Sequence, residues 1–245
     1  MASEKIMSTE KKVAVITGAS QGIGAGMLRA FRDRGYRVVA TSRSIKPVAD
    51  EDVVTVQGDV AAQDTAGSVF KAAVERFGRV DTLVNNAGMF MAKPFGLYSQ
   101  DDYAIYIATN VTGFFQMTQR ALEIMSKQGH GHVVSITTSL VYQPMSSVPA
   151  VLASLTKGAI SAATKALAIE YARTGIRVNA VSPGIIKTPM HPSEAHQALA
   201  ALHPMGRMGD VSDIVDAVLY LDGAAFVTGE VLHVDGGQAA GHHAL

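Results

Sequence analysis

The stretch Val13-Ala14-Val15-Ile16-Thr17-Gly18-Ala19-Ser20-Gln21-Gly22-Ile23-Gly24 limits what this chain can fold into more than any other. A run of β-branched and small apolar residues ends in three closely spaced glycines. The run suits a strand buried on both faces of a parallel sheet. Gly18, Gly22 and Gly24 lack side chains where the backbone must turn sharply and let a ligand come near. A helix opening at such a turn aims free N–H groups and the positive end of its dipole at that ligand, so a pyrophosphate fits. The spacing is Gly-x-x-x-Gly-x-Gly, not the Gly-x-Gly-x-x-Gly of the common dinucleotide fingerprint. A plain strand–helix connection is the alternative reading of the turn.

The residues that follow alternate between two periods. Met27, Leu28, Ala30 and Phe31 have helical spacing within Ala25–Arg34, and Gly35 ends that helix. Strands are predicted over Arg37–Thr41, Val53–Gln57 and Asp81–Asn85, with a helix over Ala62–Phe77. This fourfold alternation predicts a parallel sheet with helices on both faces. Further strands are predicted over Gly131–Thr137, Ile176–Val181 and Glu230–Val234, which makes about seven. Helices are predicted from Ser99 to Asn110, Gly113 to Lys127, Ala150 to Arg173 and Asp210 to Leu221. Asn110 falls inside a helical stretch, where asparagine is unfavourable, so it asks for a reason. The segment 185–205, with Pro189, Pro192 and Pro204, reads as a substrate lid with a short helix. Residues 1–11 read as a tail, and 12–245 as one α/β domain.

Composition narrows the function. The chain has 245 residues, 48% of them hydrophobic, enough for one large core. Its 21 basic and 21 acidic side chains cancel, with no basic stripe suited to nucleic acid or a membrane surface. It has no cysteine, which excludes disulfides and thiol chemistry and fits a reducing compartment. Met1–Lys12 lacks the apolar core of a signal peptide, and no apolar run spans a bilayer. The expected location is the cytoplasm.

Several positions are candidate contacts. Ser42 stands where an NAD site would place an acid on the ribose 2′-OH, and Arg43 follows it. An arginine there pairs with a 2′-phosphate, which favours NADP(H) over NAD(H); a solvated surface arginine is the plain alternative. Asp59 suits either the adenine amino group or the start of the next helix. His191 and His196 lie five apart without further ligands at metal spacing, so no metal is expected and a surface or substrate-lining role is preferred. Methionines near loop ends, among them Met89, Met145 and Met190, suit an apolar pocket or core filling. His242 and His243 fall in a terminal tail.

Thr17-Gly18-Ala19-Ser20-Gln21-Gly22-Ile23-Gly24, Asn85-Asn86-Ala87-Gly88, Asn110, and Pro183-Gly184 with Thr188 together resemble the classical short-chain dehydrogenase/reductase family. The resemblance runs from about Lys12 to Gly237. It implies a Rossmann-type doubly wound sheet, a nicotinamide cofactor, hydride transfer to or from a carbonyl or alcohol carbon, and usually a homotetramer. It places Gly18, Ser20, Gln21, Gly22, Ile23 and Gly24 on the pyrophosphate and ribose, and Asp59 and Val60 on adenine. Asn86, Ala87 and Gly88 would follow the ribose groups; Pro183, Gly184, Ile185 and Thr188 would hold the nicotinamide. Asn110 would continue a proton relay, and Lys157 would bind ribose hydroxyls and lower a neighbouring acid's pKa. In many NADP(H)-using relatives the Gln21 position is basic, and here it is neutral.

The chain departs from the family at the catalytic centre. The family pattern is Tyr-x-x-x-Lys, yet Ala153 stands four residues before Lys157, and no tyrosine in the chain has a lysine four residues later. The family's serine falls at Thr138 when counted from the strand and closer to Ser139 when counted from the helix. Three proton sources are then open: Tyr142 swung into the space beside Ala153, a water held by Thr138 or Ser139 and polarised by Lys157, or a substrate that carries its own activation. Of these Tyr142 is preferred at this stage. A dinucleotide-binding protein without turnover is the alternative to an enzyme.

Overall fold

A computed structural model of the chain describes residues 11–241. Except for Lys11, the expected N-terminal tail lies outside the described residues, as do His242 and His243. The strands are β1 (Val13–Thr17), β2 (Arg37–Ser42), β3 (Val53–Gln57), β4 (Thr82–Asn85), β5 (Gly131–Ile136), β6 (Ile176–Pro183) and β7 (Val231–Val234). The helices are α1 (Gly22–Asp33), α2 (Gln63–Phe77), α3 (Gln100–Tyr106), α4 (Gly113–Gln128), α5 (Val151–Tyr171), α6 (His196–Ala200) and α7 (Val211–Gly223).

All seven strands pair in parallel, in the order β3-β2-β1-β4-β5-β6-β7. Every residue of β1 is buried, as a strand covered on both faces requires. One face carries α1 and α7, whose Met27, Phe31, Ile214 and Val218 pack on Ala14, Ile16 and Val134. The other carries α2, α4 and α5, with Val69, Phe70, Met117, Met125 and Ala168 against Val15, Leu83 and Val178. The chain runs outward from β1 to β3, then returns to β4 on the other side. That reversal opens a crevice at the carboxyl ends of β1 and β4.

The element boundaries differ from the sequence reading where side chains compete with the backbone. The helix expected from Ser99 to Asn110 starts with a reciprocal cap, Ser99 Oγ accepting from Asp102 N and Asp102 accepting from Ser99 N. It keeps α-helical form only to Tyr106. Residues Ile107–Thr112 form a wider π-helical turn that carries Asn110. Segment 185–205 holds two short pieces, a 3₁₀ turn at Ser193–Ala195 and α6.

A buried polar cluster ties the opposite end of the sheet to α7. Asp222 accepts from Tyr36 Oη (2.6 Å), Thr82 Oγ1 (2.6 Å) and His132 Nδ1 (3.4 Å). Asn179 Nδ2 donates to His132 Nε2 (3.2 Å), which fixes the His132 proton on Nδ1. Burial works to raise the Asp222 pKa, but the hydrogen bonds from His132, Thr82 and Tyr36 outweigh it and hold the carboxyl well below its usual range. Burial pushes His132 down, so the imidazole is neutral in the fold.

A histidine whose folded pKa is depressed supports the fold above its unfolded pKa and is destabilising as pH falls beneath that value. Unfolding free energy should therefore decline as pH drops below about 6.5, the ordinary histidine value. In His132→Gln the slope should be shallower by an amount that approaches about 1.4 kcal/mol per pH unit, one proton's worth, a unit or so below that pH. Urea titrations across a pH series measure it, and an unchanged slope would remove His132 from the account.

Candidate functional site

The crevice at the reversal point is a cavity of about 700 Å³, reaching from the glycine turn to segment 185–205. Its first wall is built by Thr17 and Asn86, at the ends of β1 and β4. Thr17 Oγ1 accepts from the backbone N–H of Asn86 (3.0 Å) and Ala87 (2.9 Å). Asn86 Nδ2 donates to the carbonyls of Thr17 (2.9 Å) and Gly18 (3.2 Å). The turn is thus held by side chains on both strands. Gly18 has φ +65°, and a Cβ there would stand 2.8 Å from Asn86 Nδ2. Gly18, Ser20, Gln21, Gly22 and Ile23 line the cavity where α1 begins. Gly24 does not: it is buried, and a Cβ there would run into the Gly18 carbonyl. Its place in the motif comes from close packing of helix on turn.

At one end stand Ser42, Arg43, Asp59 and Val60. Arg43 is exposed at the rim and forms no ion pair among the described residues; its carbonyl accepts from Gln57 Nε2 (2.8 Å). Asp59 Oδ1 accepts from Ala61 N (3.0 Å), before α2, so it braces the loop and does not cap the helix.

At the other end Lys157 projects from α5, buried, its Nζ donating to the Ile136 carbonyl (2.8 Å). Burial lowers its pKa to about 8. Ala153, one turn earlier, lines the same cavity and is also buried. A Cβ added to Gly88 would stand 2.9 Å from Lys157 Nζ and 3.2 Å from Asn110 Oδ1, so the bare glycine leaves room for both side chains. Asn110 Oδ1 accepts from Met89 N (2.9 Å), and its Nδ2 donates to Thr156 Oγ1 (3.0 Å). These bonds, with the wide turn that presents them, are the reason for an asparagine inside a helical stretch.

Residues 18–239 match the family described as enoyl-(acyl carrier protein) reductase. The sequence is 36% identical to a 3beta-hydroxysteroid dehydrogenase 1 of Eggerthella lenta, over 93% of this chain and 93% of that protein. It is 34% identical to the (2S)-[(R)-hydroxy(phenyl)methyl]succinyl-CoA dehydrogenase subunit BbsD of Thauera aromatica, over 95% of this chain and 98% of that one. This chain belongs to the short-chain dehydrogenase/reductase family. It is a dinucleotide-dependent oxidoreductase. Among solved structures the fold is similar to ElxO with NADP bound (TM-score 0.88, 30% identity, 94% of this chain, 100% of that one). It is also similar to a 3-ketoacyl-(acyl-carrier-protein) reductase from Brucella melitensis complexed with NADH (TM-score 0.87, 30% identity, 94% and 99%).

In this family member the expected residues Asn86, Ala87, Gly88, Pro183, Gly184, Ile185 and Thr188 all line the cavity. Asn110 stands just behind its wall. Thr138 and Ser139 both line it, in different states. Thr138 Oγ1 only accepts, from Leu140 N (3.4 Å), while Ser139 Oγ donates to Gln238 Oε1 (2.8 Å). Gln238 Nε2 in turn donates to the Leu202 carbonyl (3.2 Å), which fixes the orientation of the amide and commits the Ser139 proton to it. The placement of Tyr142 beside Ala153 is corrected: Tyr142 is not among the lining residues. Its ring packs edge-on against His233 at 4.5 Å, because the short 3₁₀ turn Ser139–Val141 carries it out of the crevice.

The sequence reading missed Ile186, Gln238 and His203. Ile186 and Gln238 line the cavity. His203 accepts from Ile185 N (2.9 Å) at Nε2, while its Nδ1 faces the Leu199 carbonyl (3.1 Å), so it braces the Pro183–Ile185 segment. No local signal marks Gln238 or His203; both act on residues far away in sequence. His191 lines the cavity, its pKa lowered by burial and further by His196. Among the described residues no three histidine or acidic side chains converge as a metal site would.

Proposed function

We propose that the chain transfers hydride between NADP(H) and the carbon of a carbonyl or secondary alcohol, with Lys157 as the proton source in place of a phenol. The observation that carries this is Lys157: a buried amine at the cavity floor, one turn after Ala153, with its pKa brought near neutrality. The cavity suits a dinucleotide because the glycine turn leaves bare backbone at the start of α1, where a pyrophosphate is favoured. When bound, the nicotinamide supplies or takes up the hydride. The protein supplies the proton, which carbonyl reduction needs on oxygen as hydride reaches carbon. Lys157 gives it up through a water held by the Thr138 hydroxyl, and takes it back in the oxidising direction. Ser139, its own proton engaged by Gln238, offers lone pairs that can accept from the hydroxyl of an alcohol substrate in the oxidising direction. Binding without turnover is the second reading, favoured by the missing phenol at Ala153.

Residues 12–245 act in this reading as one dinucleotide-binding unit, with 185–205 as the lid over the substrate. No described helix is long and apolar enough to cross a membrane, and the lack of cysteine supports work in the cytoplasm. Val151 and Leu155 on α5 and Phe115 on α4 are exposed apolar side chains that a second copy would cover. The assembly in this reading is a homotetramer, with a dimer as fallback. Light scattering from the full chain at micromolar concentration reads the mass, and a monomer would rule it out.

The cofactor preference rests on Ser42 in the place of an acid and on Arg43, a guanidinium able to take a phosphate in two hydrogen bonds. NADP(H) should bind tighter than NAD(H), and Arg43→Ala should erase most of the difference. Calorimetric titration of both dinucleotides decides it; equal or better binding of NADH by the parent would refute the preference.

For the proton route, single-turnover reduction by Lys157→Ala should be slower by a factor on the order of 10²–10⁴, the usual share of general acid catalysis. Tyr142→Phe should match the parent. Reduction should weaken as pH rises through about 8, where Lys157 loses the proton it must give. A large loss in Tyr142→Phe would return the role to that tyrosine. Absence of turnover in the parent, with rate appearing in Ala153→Tyr, would favour the binding protein.

A further inference from the structure

Past Lys157 the cavity changes character. Leu140, Met145, Val148 and Ala153 form one wall and belong to a small apolar cluster centred on buried Tyr106 and Leu152. Met89 and Phe90 pack on the same cluster and close a second side. From segment 185–205, Met190 and Leu199 face them. The polar side chains here are Ser147 and His191, with Thr138 and the Ser139–Gln238 pair at the reacting end. Arg43 and Asp59, the other charged lining residues, belong to the adenosine end. Lys157 is the one charged side chain lining this half, and its amine is turned to the Ile136 carbonyl.

Such a lining selects by what it lacks. A carboxylate or phosphate drawn in here would lose water and find no arginine or second lysine to pair with. A sugar would carry several hydroxyl groups along a wall that is mostly apolar, and each one left unpaired opposes binding. A neutral carbonyl loses little water and needs hydrogen bonds only at its oxygen, where the open Thr138 hydroxyl stands. Three methionines around the space, Met89, Met145 and Met190, are unbranched and adapt to apolar shapes.

We infer that the substrate is a neutral ketone, or the matching secondary alcohol, on an apolar alicyclic or aromatic skeleton. The inference rests on reading the cavity as a hydride-transfer site, but its test does not depend on turnover. The full-length protein is saturated with the oxidised dinucleotide, which cannot pass a hydride to a ketone, and titrated by calorimetry. The probes are cyclohexyl methyl ketone, cyclohexylglyoxylate (in which a carboxylate replaces the methyl group) and fructose. The neutral ketone should bind at least about tenfold tighter than the keto acid, and fructose should give no signal in the same range. Met145→Arg places a cation on the apolar wall and should bring the keto acid close to the neutral ketone. Equal or tighter binding of keto acid or fructose by the parent would overturn the inference, as would failure of the neutral ketone to bind. Tight ketone binding without hydride transfer leaves the substrate class standing and refutes the proton route. Turnover with the keto acid preferred does the reverse.

Discussion

The structure depends on the bonds that join the ends of β1 and β4. One hydroxyl, Thr17 Oγ1, takes two backbone N–H groups, and one amide, Asn86 Nδ2, gives to two carbonyls. These bonds hold the glycine turn open at the point where the sheet order reverses. A crevice exists there because neighbouring connections leave in opposite directions. Losing the Thr17 hydroxyl would leave two backbone N–H groups unpaired, and losing the Asn86 amide two carbonyls; an unpaired group that is buried costs about 1–3 kcal/mol, and the turn would lose its shape. The start of α1, the path to Lys157 and the cavity between them all follow from that joint.

The Lys157 end of the cavity is organised by burial rather than by a dense set of charges. Lys157 is paired with a carbonyl and not with a carboxylate, so desolvation alone lowers its pKa. Asn110 and Lys157 both approach the backbone at Gly88, which has no side chain to block them, and a wide helical turn presents the Asn110 amide. Gln238 and His203 arrive from the end of the chain and from segment 185–205 to hold Ser139 and Ile185. The site is therefore assembled from nearly the whole length of the molecule, and its hydroxyls are sorted: Ser139 has a committed proton and Thr138 an open one.

The end of the sheet away from the crevice shows the same logic serving stability. Asp222 stays ionised although burial opposes it, because three donors converge on it. His132 stays neutral because burial disfavours its charged form, and Asn179 donates to its unprotonated nitrogen. The charged and amide groups in this cluster are buried with their partners supplied, whereas the buried hydroxyls of Thr41 and Ser182 are not hydrogen-bonded.

Local pattern was enough to read the strands, the helices and the parallel sheet. Apolar runs with period two or 3.6, and the glycines that close them, act within a few residues. The glycine turn, the Asn86–Gly88 segment and Lys157 with Ala153 four residues before it were legible in the same way, since a motif states which atoms are present. Where side chains end up was not legible. Tyr142 lies four residues after Thr138 in sequence, yet a short 3₁₀ turn sends its ring to His233. Gly24 belongs to the motif by spacing, but it packs inside and leaves the cavity wall to its neighbours. Gln238 carries no local mark, because its role is a pair of hydrogen bonds to residues 99 and 36 positions away. The amino-acid order determined the elements and the identity of the reactive groups. Only the tertiary structure decided which hydroxyl is open, which tyrosine is absent from the site and which glutamine is present, since hydrogen-bond partners distant in sequence are chosen by packing.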